Sequence, residues 1–165
     1  YLVKEKANVY ITDLFEDKVN AIATKYGVKT VGQDDIYDLD MDIYAPCALG
    51  ATLNDTTIPR LKCQIVAGAA NNQLMEEKKH GYMLIDKSIV YAPDFLINAG
   101  GLINVYNEYL GGYNRDRVFE HAEKIYTTCL NILTLAEEEK ITSQEAAIKL
   151  SEKRIAEVGR IRISR

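Results

Sequence analysis

Cys63-Gln-Ile-Val-Ala67 runs directly into Gly68-Ala-Ala-Asn-Asn-Gln73, and the reading of this junction decides the fold. The first five residues are apolar in near-continuous succession rather than alternately, which is the pattern of a strand buried on both faces in a parallel sheet. The next six are small residues followed by amides. Such a segment forms a turn, or it holds a carboxamide through paired donors and acceptors; the residue types alone leave both readings open. Working outward, Asn8–Thr12 (NVYIT) ends at Asp13, Asp42–Ala45 (DIYA) ends at Pro46, and Ser88–Tyr91 (SIVY) precedes Pro93, giving three further strands. Between them, Val19, Ile22, Ala23 and Tyr26 recur at helical spacing over 16–26, with Gly27 as a C′ stop. Shorter helices are predicted at 56–61, interrupted by Pro59, and at 76–81. Strands alternating with helices or crossovers predict an α/β fold, a doubly wound and mostly parallel sheet with right-handed connections.

Beyond Tyr113 the pattern becomes helical only. Val118, Ala122, Ile125, Cys129, Ile132 and Ala136 mark one face of a long helix, and Thr142-Ser-Gln-Glu145 matches a capping box that opens a last helix through Ala146, Leu150 and Ile155. The expected organisation is an α/β unit over 1–113, with a C-terminal helical hairpin over 114–165 packed on the same unit. The first residues, Tyr1-Leu-Val-Lys-Glu-Lys-Ala, read as the end of a helix already under way, so the chain is expected to be a fragment of a longer protein.

The chain of 165 residues is 47% hydrophobic and 27% charged with a net charge of −4, a composition of soluble globular proteins that argues against nucleic-acid or anionic-membrane partners. Arg160, Arg162 and Arg165 are the one local basic excess, a solvated tail or a helix-end cluster. No apolar run reaches transmembrane length and no signal peptide is evident. Cys47, Cys63 and Cys129 form no CxxC and read as buried free thiols in a reducing cytoplasm. His80 and His121 read as isolated surface or helix-end histidines, and no metal site is expected.

Four places could carry chemistry. Tyr91–Glu108 (YAPDFLINAGGLINVYNE) sets Gly100-Gly101 and three asparagines in an apolar segment, although glycine disfavours helix interiors by about 1 kcal/mol relative to alanine. The glycine pair suggests close approach to a ligand or another chain. A helix starting near Asn98 and capped by it would align Leu102, Val105 and Tyr109 as a pocket wall. Asp13, at the tip of a strand between helices, occupies the position of the acid that accepts ribose hydroxyls in a dinucleotide-binding unit, and a carboxylate there would repel a 2′-phosphate; taken alone it reads rather as a helix N-cap, which Asp fills well. The third place is Ala45-Pro-Cys-Ala-Leu-Gly50, at the end of DIYA, and the fourth is the 67–73 loop itself. No GxGxxG occurs among the ten glycines.

DIYAPCALG (42–50), IVAGAANNQL (65–74), VYAPDFLINAGGLINV (90–105) and GYNR (112–115) together closely resemble the NAD-dependent amino-acid dehydrogenases of the glutamate, leucine, phenylalanine and valine superfamily. The wording is nearest the leucine dehydrogenase branch. The resemblance implies most of a Rossmann-type cofactor-binding domain, lacking its first strand and Gly-rich loop, followed by the C-terminal helices. It implies NAD as cofactor and reversible oxidative deamination of a branched-chain amino acid. A homo-oligomer is implied too. By position, Asp13 resembles the ribose-binding acid, and Cys47 and Ala48 the adenosine-side loop. Asn72 matches the residue holding the nicotinamide carboxamide and Asn98 the asparagine near nicotinamide and substrate. Leu102 and Val105 match the lining of the side-chain pocket. Leu102 stands where leucine-specific members often carry Val and also suits an aromatic substrate, while Val105 suits a branched aliphatic one; neither offers the cation that a glutamate side chain requires. The family's catalytic lysines and aspartate have no counterpart here, so the chain alone is expected to be inactive.

Overall fold

The computed structural model describes residues 1–160; Arg162 and Arg165 of the C-terminal arginine group lie outside them. The chain opens with one helical turn, Glu5 N–H bonding Tyr1 O and Ala7 N–H bonding Leu2 O, closed by Lys6 at a left-handed φ of 61°. The elements that follow are β1 (Tyr10–Ile11), α1 (Glu16–Tyr26), β2 (Lys29–Thr30), β3 (Ile43–Tyr44), β4 (Ile65–Val66), α2 (Glu77–Asp86) and β5 (Val90–Tyr91). Then come α3 (Asp94–Ile97), α4 (Gly100–Tyr109), α5 (Arg115–Glu139) and α6 (Ser143–Gly159), with 3-10 turns at Asp35–Asp38 and Ile58–Arg60. Every predicted strand is present but shortened to two residues, and β2 was not foreseen, being two exposed residues without periodicity. The helix expected at 76–81 continues to Asp86.

All strand pairs are parallel. They form two sheets, β1–β2 and β3–β4–β5. In the larger sheet Tyr44, Val66 and Tyr91 align in register on one face and are buried, and Leu53, Ile58, Leu61, Leu74 and Leu84 join them in the core. Each of these aliphatic side chains contributes about 1.5–3 kcal/mol by leaving water. On the other face Ile43, Ile65 and Val90 align as an exposed apolar row. A second core, Ile132, Ala136, Ala146 and Ala147 with Leu96 and Leu150, joins α5, α6 and α3. The Thr142–Glu145 capping box forms as expected. α6 is tied to the sheet by Ser143 Oγ, which donates to Tyr91 O at 2.7 Å, and to α2 by Tyr82 Oη, which donates to Glu145 at 3.0 Å.

Arg60 locks the two 3-10 turns together, reaching Asp34 at 2.8 Å and Asp38 at 2.7 Å. Its guanidinium holds both carboxyls below the ordinary value of 3.8. Because the folded values are depressed, the linked stability is present above the unfolded value and is lost as pH falls through the folded ones. Arg60→Ala is expected to return both carboxyls toward 3.8 and to remove that acid-range dependence, as read by carboxyl NMR titration.

A candidate cofactor site at the carboxyl ends of the strands

The loops that leave β3, β4 and β5 meet at one rim. Gly68 makes the meeting possible: a Cβ there would lie 2.1 Å from Pro46 O and 2.5 Å from Pro46 N. Ala70 N–H donates to Pro46 O at 3.0 Å, and Ala69 N–H approaches the Cys47 Sγ at 3.5 Å. On the far side of the loop Ala51 N–H donates to Asn72 O at 2.7 Å, with Asn72 at a left-handed φ of 52°. Asn98 reaches back across the rim, its Nδ2 donating to Asn71 Oδ1 and to Ala69 O at 3.4 Å. Cys47, Ala48, Asn72 and Asn98 are therefore brought onto one rim, and Asn71 joins them. Asn71 was passed over because its neighbour carries the same side chain and sequence cannot tell which amide faces inward. The Asn72 side chain is exposed and makes no hydrogen bond among the described residues.

The structure departs from expectation at Asn98. It does not cap the long helix; Pro93 starts a short helix earlier, Asn98 closes it, and Ala99 leads into α4. Freed from capping, the Asn98 amide turns to the rim. Along α4, Leu102 is 73% and Val105 58% exposed, and Cβ atoms added at Gly100 or Gly101 would meet nothing within 4 Å. Among the described residues the glycines thus approach nothing. Asn107, by contrast, is buried, its Oδ1 accepting from Arg117 Nε at 2.7 Å, and it joins α4 to α5.

Asp13 lies at the end of β1, on the smaller sheet. Its Oδ1 accepts the Phe15 N–H at 3.1 Å, an Asx turn, and the N-cap of α1 is Phe15 rather than Asp13. Beside it a shallow groove of about 280 Å³ is lined by Thr12, Glu16, Asn20, Thr30 and Gln33.

Two buried side chains support the rim from below. Gln73, fully buried, donates from Nε2 to Gly68 O at 2.6 Å and Ala70 O at 2.9 Å, closing the loop from within. Asp94, 5% exposed, accepts Gln73 N–H at 3.0 Å and Phe95 N–H at 2.7 Å. Burial, reinforced by the Asp94 charge, holds the Tyr91 phenol well above its ordinary pKa.

The cysteines and histidines depart from expectation. Cys47 is exposed on the rim and Cys129 half-buried, leaving Cys63 as the buried thiol; Ala45-Pro46 ends its strand and turns Cys47 outward. His80 is neither isolated nor at the surface. It is fully buried in α2, its Nδ1 accepting the Glu76 N–H at 2.8 Å, with Nε2 3.4 Å from Asp55 Oδ1 but without a hydrogen bond. Asp55, Glu76 and His80 could converge on a cation, but Lys79 already places its ammonium 2.7 Å from Asp55 and 3.6 Å from Glu76. His121 is half-buried, 3.3 Å from Asn107 Nδ2. Among the described residues no helix is long and apolar enough to cross a membrane.

Chemically, the rim offers amides and one thiol, suited to holding a flat neutral carboxamide rather than to moving protons. Known proteins resemble this chain over most of its length. Leucine dehydrogenase of Thermoactinomyces intermedius is 49% identical over 94% of this chain and 42% of its own length. Phenylalanine dehydrogenase of Caldalkalibacillus thermarum is 42% identical over 97% of this chain and 44% of its own length. The crystal structure of L-tryptophan dehydrogenase from Nostoc punctiforme superposes with a TM-score of 0.92 at 44% identity, over 97% of this chain and 48% of that one. The chain thus spans under half the length of the relatives it matches. The family model of glutamate/leucine/phenylalanine/valine dehydrogenases matches residues 3–162, and the chain belongs to that family.

Proposed function

We propose that this chain is the cofactor-holding part of an NAD-dependent L-amino-acid dehydrogenase, acting in the whole protein on a branched-chain, leucine-like substrate. The observation that carries the reading is the rim itself, where the loops of three adjacent parallel strands converge and present Asn71, Asn72 and Asn98 together. Ligands of doubly wound sheets bind at the carboxyl ends of strands. The close backbone approach at Gly68 draws the loops after β3 and β4 together, and the amides supply both donors and acceptors for a nicotinamide carboxamide. Asn72 and Asn98 would hold that carboxamide, and Cys47 and Ala48 would line the adenosine side. Asp13, with an open carboxylate edge beside its groove, would accept the ribose hydroxyls. NAD would supply the hydride acceptor; the residues here bind and orient it.

The finer fold belongs to the same reading. In the doubly wound order the first strand lies between the second and the fourth. If β1 and β2 are the second and third strands and β3–β5 the remaining three, the separation into two sheets falls where the first strand belongs. The exposed row Ile43–Ile65–Val90 is the other support, since parallel sheets are covered on both faces. A segment outside this chain would supply that strand, its glycine loop and a covering helix. Residues 1–113 would then be part of one domain and 114–165 its C-terminal helices.

Leu102 and Val105, exposed on α4, would line the substrate side-chain pocket once the catalytic part of the protein faces them. Relatives at similar identity are named for leucine, phenylalanine and tryptophan, so identity does not select among them. Val105 favours the branched aliphatic choice. The whole protein would work as a cytoplasmic homo-oligomer. The test is NADH formation by the full-length protein with Leu, Val, Ile, Phe, Trp and Glu, and with NADP in place of NAD. Highest turnover with a branched-chain substrate and NAD is expected; turnover with none of them, or with glutamate alone, overturns the proposal.

A further inference from the structure

Asp94 is a carboxylate with almost no contact with water and, among the described residues, no cationic partner. Burying a charge is costly unless it is paired and hydrogen-bonded. A packed apolar side chain would stabilise such a position as well or better. Among the described residues Asp94 has two donors, the N–H groups of Gln73 and Phe95, one to each carboxylate oxygen. Packing alone therefore gives no reason for the charge.

What those two donors control is specific. Gln73 ends the loop that carries Asn71 and Asn72, and its own carboxamide closes that loop onto Gly68 O and Ala70 O. Asp94 begins the short helix whose last residue hands over to Asn98, and Asn98 N–H bonds Asp94 O at 3.0 Å. One side chain thus fixes the loop after β4 relative to the segment after β5, across a rim that Asn98 also bridges through Asn71 Oδ1 and Ala69 O.

We propose that Asp94 and Gln73 form a positioning pair that sets the spacing of the rim amides, and so the placement of the nicotinamide end of the cofactor. The inference rests on the function proposed above and deepens it. Neither residue touches the cofactor; both act through Asn71, Asn72 and Asn98. Asp94→Asn keeps the shape but turns an NH2 group against one of the two N–H donors. Gln73→Glu keeps the shape and sets a carboxylate against two carbonyl oxygens.

The experiment compares the full-length wild-type protein with Asp94→Asn and Gln73→Glu, measuring kcat with NAD, NAD affinity and the affinity of ADP-ribose, which lacks the nicotinamide. A misplacement of the reacting ring costs on the order of tenfold or more in kcat. The expected result is such a loss in each folded variant, with ADP-ribose affinity unchanged. A kcat equal to wild type, or equal losses of ADP-ribose and NAD affinity, overturns the inference. If one variant does not fold, the other and Gln73→Met carry the same comparison. A wild-type protein that oxidises no amino acid with NAD defeats the underlying function instead, so the two failures are distinguishable.

Discussion

Gly68→Ala lowers the stability of this chain by about 3 kcal/mol or more, because overpacking costs that much when the neighbour cannot move. The obstruction is backbone: the new methyl would sit 2.1 Å from Pro46 O and 2.6 Å from Pro46 C. Relief requires either parting the loops after β3 and β4 or tilting β4 in a core where Val66 is fully buried. Denaturant unfolding measures the effect, and an unchanged midpoint would show that the loops do not touch as described. Gly101→Ala is the contrasting case. Among the described residues its methyl meets nothing within 4 Å, and alanine favours a helix interior by about 1 kcal/mol, so the isolated chain is expected to raise its midpoint slightly; a loss of turnover in the full-length protein would then locate the close approach in a ligand or another part of the protein.

Asn98→Ala in the full-length protein is expected to lower kcat/KM by about a hundredfold. Removing one fixed donor beside a reacting centre costs on the order of 10²-fold or more. The substitution also releases Asn71, whose Oδ1 accepts from Asn98. The fold is expected to be unaffected, because among the described residues Asn98 makes its side-chain bonds to the rim alone and caps no long helix. Steady-state kinetics against NAD and the amino acid would read the loss. A wild-type kcat/KM would remove Asn98 from the site.

Much of this molecule is legible in its sequence for identifiable reasons. The apolar run CQIVA marks a strand, although in this chain Val66 is buried and Ile65 stays exposed; Gly27 and the Thr142–Glu145 box mark helix ends because they satisfy particular backbone groups. Less legible were features set by tertiary contact. β2 is two exposed residues whose only reason to be extended is β1 beside it. His80 looks solitary in sequence, yet Asp55 reaches it from 25 positions upstream in the chain. At the site, the asparagines were visible as types, but which one turns inward depends on where α3 ends. Asp94 carries no signal of its own, because nothing local records that its carboxylate is buried against Gln73.

The measurement that bears most directly on the central claim is a crystal structure of the full-length protein with NAD bound. The account predicts the nicotinamide carboxamide hydrogen-bonded at the rim of Asn72 and Asn98, and the adenosine ribose hydroxyls on the Asp13 carboxylate. Cofactor bound away from these strand ends, or a ribose that leaves Asp13 in water, would contradict it.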